Sequence, residues 1–123
     1  MSKSRIGALL PVLLFSSHLW AQDLPPLWGY GSRLCEDFHH ARTEADQGVD
    51  RGILEYRRYQ DWLQGFLSGL NLATGQDLLR GGEIAALWRG IARQCEDKPD
   101  RSLVTATREA LRAFSAIPAR LEP

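Results

Sequence analysis

Tyr59-Gln60-Asp61-Trp62-Leu63-Gln64-Gly65-Phe66-Leu67-Ser68-Gly69-Leu70 is the run that decides the fold. Its apolar residues Tyr59, Trp62, Leu63, Phe66, Leu67 and Leu70 recur at three- and four-residue steps, which gathers them on one broad face of an α-helix. The helix is predicted to start near Asp50 or Gly52. It ends between Asn71 and Gly75, two residues that tolerate left-handed backbone angles. Gly65 and Gly69 are unusual inside it, since each costs about 1 kcal/mol relative to alanine in a helix interior. With Ala73 they form a ridge of small residues, on which close packing of another helix in the core is expected. A membrane dimerisation face fits poorly beside Arg57, Arg58, Asp61 and Gln64.

Working outward, Pro25 and Pro26 bar a helix and Gly29 and Gly31 loosen the chain. Residues 22–31 therefore read as an extended lead-in, with Trp28 and Tyr30 tucked against the domain. Ser32 is predicted to cap a first helix that ends near Ala45, with Leu34, Phe38, Ala41 and Ala45 on one face and Cys35 in its first turn. Gly48 marks a turn before the long helix, and Gly81-Gly82 a break after it. A third helix carries Ile84, Leu87, Trp88, Ile91 and Cys95 on one stripe and closes before Pro99. Asp100 or Ser102 caps a last helix with Leu103, Thr107, Ala110, Leu111 and Phe114 on one face, and Pro118 ends it. The fold class is all-α: a small bundle of about four helices with one disulfide.

The N-terminus reads as a signal peptide. Lys3 and Arg5 precede an apolar run over residues 6–15, and Ser16, Ser17 and Ala21 supply small residues beyond it. The run is shorter than the about 20 residues that span a bilayer, although an anchoring or amphipathic N-terminal helix is the alternative. The chain then divides into a signal peptide at 1–21, the lead-in at 22–31, a helical domain at 32–117 and a tail at 118–123. The expected location is periplasmic, with no membrane span in the mature chain. Fifteen basic residues balance 15 acidic ones, and loss of the leader leaves 13 against 15, so no basic patch argues for nucleic acid. In an oxidising compartment Cys35 and Cys95 are expected to pair, closing a loop of about 60 residues worth roughly 4 kcal/mol. Two buried free thiols are the alternative; a metal site is disfavoured, since neither cysteine has a second ligand at metal-binding spacing.

Catalytic chemistry finds little support. His39 and His40 are neighbours and point about 100° apart on a helix, so they do not share one metal ion. Glu36 and His40 are spaced for a surface pair, with Asp37 beside them, and solvated surface is the preferred reading. No nucleophile elbow frames a serine, and Gly81-Gly82 lacks the lysine and hydroxyl of a phosphate loop. No metal, cofactor or catalytic residue is assigned. Tyr56-Arg57-Arg58-Tyr59 spreads around the helix and reads as a solvated shoulder. Of Trp28, Trp62 and Trp88, most are expected in the core, and an exposed one would mark a partner surface. The candidate partner-binding or helix-packing face is Trp62, Gly65, Phe66, Gly69 and Trp88.

Leu34-Cys35-Glu36-Asp37-Phe38 resembles the opening of the helical core in the HdeA-like periplasmic protein family. Cys95-Glu96-Asp97-Lys98-Pro99 resembles its closing cysteine before a polar turn and a last helix. Trp62-Leu63-Gln64-Gly65-Phe66-Leu67-Ser68-Gly69 is similar to the aromatic-glycine helix of relatives in that fold group. The resemblance implies a small helical periplasmic protein, its two cysteines joined, often dimeric, with chaperones and toxin-neutralising immunity proteins among its kin. It implies a non-catalytic protein that binds another protein (a client, a toxin or an envelope subunit) through an apolar helical face. An immunity protein is one alternative, and a small hydrolase using the region of His39 and His40 is the other.

Overall fold

In the computed structural model, which describes residues 25–116, a single 3-10 turn and four helices follow one another. The turn is Gly29–Ser32; α1 is Cys35–Asp46, α2 Asp50–Thr74, α3 Ile84–Asp97 and α4 Leu103–Ala116. The expected signal peptide, the start of the lead-in and the tail lie outside the described residues. The protein is all-helical, a small four-helix bundle with one disulfide. The long helix begins at Asp50 as its periodicity requires. It ends on Gly75, which takes the left-handed angle (φ 66°) and returns its N–H to the Asn71 carbonyl at 2.8 Å.

The helices pair as two hairpins, α1 on α2 and α3 on α4, joined through α1. The first turn of α1 shows how. Ser32 does not cap it: that residue closes the 3-10 turn, its hydroxyl donating to the Gly29 carbonyl at 2.9 Å. The free amides of α1 go instead to the α3–α4 connection, Cys35 N–H to the Arg101 carbonyl (2.9 Å) and Glu36 N–H to the Pro99 carbonyl (3.0 Å). Leu103 N–H returns a bond to the Arg33 carbonyl at 2.8 Å. A distant loop thus satisfies donors that a local side chain usually takes. Ser102 does cap α4, its hydroxyl facing the Thr105 amide and hydroxyl.

The Cys35–Cys95 disulfide lies at this same junction, with the two Cα atoms 4.9 Å apart and both residues buried. Below it runs an aromatic core. Phe38 stacks on Trp88 with ring centroids 5.6 Å apart and meets the edge of Tyr59 at 5.5 Å; Tyr56 leans on both Phe38 and Trp88. Leu63, Leu87, Ile91 and Leu103 complete it, fully buried. Thr107, buried among them, gives its hydroxyl to the Leu103 carbonyl. Where α1 and α2 meet, Gly52 lets the backbones touch. A Cβ there would stand 2.2 Å from the Glu44 Cβ and 2.7 Å from the Glu44 carbonyl carbon.

Candidate functional site: the outer flank of α2

α2 has 25 residues and α1 has 12, so at 1.5 Å per residue α2 is roughly twice as long and its C-terminal half outruns its partner. One flank of this helix is left outside the core. Glu55, Arg58, Trp62, Gly65, Gly69 and Leu72 follow one another at alternating three- and four-residue steps, the spacing of a seam onto which another helix packs. Gly65, Gly69 and Leu72 are exposed, Leu72 at 86%. Trp62 is half-buried. It stacks on Phe66 with centroids 5.0 Å apart, and its other side rests on the 3-10 turn, where a Cβ on Gly31 would stand 2.0 Å from its ring. From Trp62 to Gln76 the chain holds no charged residue.

The other end of the seam is charged and ordered. Glu55 binds two guanidiniums, Arg33 Nη1 to Oε1 at 2.8 Å and Arg58 Nη1 to Oε2 at 3.1 Å. Arg33 lies over the Tyr30 ring, 4.3 Å from its centroid, and Arg58 approaches the Tyr30 hydroxyl at 3.4 Å. Tyr30 in turn sets its ring edge-to-face with Tyr59 at 4.7 Å. Trp28, one residue before the turn, is 85% exposed.

Behind this cluster the Tyr59 hydroxyl is buried beside the Arg33 guanidinium and, among the described residues, makes no hydrogen bond of good geometry. Burial pushes its phenol up to about 12, against the pull of the Arg33 charge. The phenol is neutral in folded and unfolded chains below its ordinary value of about 10. Between about 10 and 12 the unfolded chain ionises first, so stability falls as pH rises through that window. Denaturant titrations at about pH 9 and about pH 11.5 will show the loss. Tyr59→Phe will remove this part of it and is expected to change stability at neutral pH by less than about 1 kcal/mol, because the hydroxyl it deletes makes no well-aligned hydrogen bond.

Several sequence expectations change here. The ridge of Gly65, Gly69 and Ala73 does not pack into the core: all three are exposed, and a Cβ on either glycine would meet nothing within 4 Å. The core side of α2 is instead the arc of Tyr59, Leu63 and Leu67. Trp28 is not tucked in. Trp88 leaves the candidate face, since it is buried against Phe38, while Trp62, Gly65, Phe66 and Gly69 stay together. His39 and His40 are exposed on α1, and His40 pairs with Glu44 (3.5 Å) rather than Glu36. Among the described residues no three His, Cys, Asp or Glu side chains converge as a metal site. The arginine–tyrosine cluster was missed: Arg33 and Glu55 are 22 residues apart and nothing local links them.

Gly65→Ala and Gly69→Ala follow directly as a test. Each is expected to stabilise the protein by about 1 kcal/mol, because helix propensity rises and no contact is lost. Gly52→Ala, at the crowded α1–α2 crossing, is expected to destabilise it by about 1–3 kcal/mol. Urea midpoints of the three variants decide both signs. No family model matches the chain, and neither a curated protein nor a solved structure matches it.

Proposed function

We propose that this is a small exported protein without catalytic activity that binds another protein on the outer flank of α2. The observation that carries the reading is a charge-free helix surface left open in a domain with a well-formed core. Gly65, Gly69 and Leu72 are exposed on it, and Trp62 and Phe66 stand at its edge. Two mid-helix glycines weaken the helix and pack against nothing among the described residues, whereas a partner backbone could approach closely along them. The periplasmic location and the HdeA-like kinship belong to this proposal and rest on the sequence. No helix among the described residues is long and apolar enough to cross a membrane.

A photo-reactive amino acid placed at position 69 in the full-length protein tests the reading in the producing cell. A discrete adduct with one envelope or delivered protein is expected from position 69 and none from position 108, exposed on α4. No adduct from position 69 would overturn the proposal. Within it, an immunity protein and an acid-activated chaperone part on two measurements: protection against one cognate toxin, or suppression of client aggregation at about pH 2–3. The hydrolase alternative parts from this reading on one measurement: an unchanged rate on replacing both His39 and His40 would remove it.

A further inference from the structure

We infer that the end of this flank carrying Tyr30, Arg33, Arg58 and Trp62, with Trp28 just before it in the chain, takes an acidic segment of the partner protein, its carboxylates on the two guanidiniums and its apolar side chains on the tryptophans. The inference rests on the docking reading above and gives the partner its chemistry.

Charge is the first ground. Glu55 supplies one carboxylate to two arginines, so Arg33 and Arg58 carry one positive charge that Glu55 does not balance, with the Asp37 carboxylate felt behind them at Tyr59. Each guanidinium has five N–H donors; Arg33 gives Nη1 to Glu55 and lies over the Tyr30 ring, while Arg58 gives Nη1 to Glu55 and to the Tyr30 hydroxyl. The Arg33 and Arg58 side chains remain 47% and 65% exposed. Their planar forks match a carboxylate in two-point contact. Order is the second ground. Glu55 and the Tyr30 ring already hold both guanidiniums, so less side-chain freedom is lost when an anion arrives. Composition is the third: tryptophan, tyrosine and arginine are the residues that dominate binding energy at interfaces. Trp28, 85% exposed, lies two residues before Tyr30 in the chain, while the rest of the seam toward Gln76 is uncharged.

A second copy of the chain is the poorer occupant. A two-fold contact centred on this cluster sets its excess positive charge against itself. A partner that carries carboxylates next to apolar residues removes the excess and covers the tryptophans together.

Two synthetic helical peptides test the assignment, with the same leucine–alanine face and either three glutamates or three lysines at one end. They are titrated into the full disulfide-bonded protein and followed by tryptophan fluorescence. The glutamate peptide is expected to bind at least about tenfold more tightly than the lysine peptide, with the gap closing at high salt. Glu55→Gln will tighten the glutamate peptide several-fold by releasing both arginines. The Arg33→Glu, Arg58→Glu double variant will invert the order, and its thermal melt shows that it stays folded. Equal affinity for the two peptides, or an order unchanged in the double variant, overturns the acidic-partner inference. The adducts from position 69 then judge the docking reading separately. Binding of neither peptide overturns the inference too, as does self-association by sedimentation that Trp28→Ala abolishes.

Discussion

Replacing both Cys35 and Cys95 with serine is expected to lower the stability of the domain by roughly 4 kcal/mol. The bridge closes a 60-residue separation, and in the chain-entropy account a loop of that size withdraws about that much freedom from the unfolded chain. Single small domains have about 5–15 kcal/mol in total, so the loss consumes much of the reserve. At about 4–8 °C per kcal/mol the melting temperature falls by tens of degrees. A thermal melt of the oxidised and reduced wild type, beside the double variant, measures it. A fall of only a few degrees would contradict the account. The place where opening starts is also specified. Cys35 and Glu36 give their amides to the Arg101 and Pro99 carbonyls beside the bridge, so these two amides should lose hydrogen-exchange protection first.

The bridge, the four helices and the end of α2 were legible because each has a local cause. Periodicity marks a helix, Gly75 marks its stop, and two cysteines after an export-like leader mark a pair. The faces were harder to read. Trp62 and Leu63 are adjacent, hence about 100° apart on the helix, and both look apolar. Only the position of α1 decides that Leu63 is core and Trp62 edge. The same holds for Trp88, which shares a stripe pattern with Trp62 yet meets Phe38 in the interior. Gly65 and Gly69 read as a packing ridge since small residues permit close approach, but among the described residues no helix reaches them. The capping of α1 was illegible for a related reason. Its acceptors, Pro99 and Arg101, stand more than 60 positions downstream.

Those long-range contacts make Phe38 the residue whose truncation should hurt most among single changes. Phe38→Ala is expected to cost about 3–5 kcal/mol, the usual loss for a buried phenylalanine whose cavity does not collapse. Phe38 is 1% exposed and touches three other rings: stacked on Trp88, edge-on to Tyr59 and tilted against Tyr56. Two of these lie on α2 and one on α3, so one side chain on α1 joins both hairpins. α2 and α3 have no close backbone contact of their own among the described residues and meet through side chains such as Tyr56 and Trp88. Phe38→Leu should recover part of the loss, since it restores volume without the ring contacts. Near-ultraviolet circular dichroism and urea titration separate the effects. In Phe38→Ala the Trp88 signal should fade while helical content persists, because the disulfide still tethers α1 to α3. Combining Phe38→Ala with reduction then removes two of the links between the hairpins, leaving the backbone bonds at the α3–α4 connection and the Tyr56–Trp88 contact, and the chain should be unfolded in buffer. If the reduced variant still melts cooperatively, the backbone bonds at the α3–α4 connection and the Tyr56–Trp88 contact suffice to hold the two hairpins without this ring and this bridge.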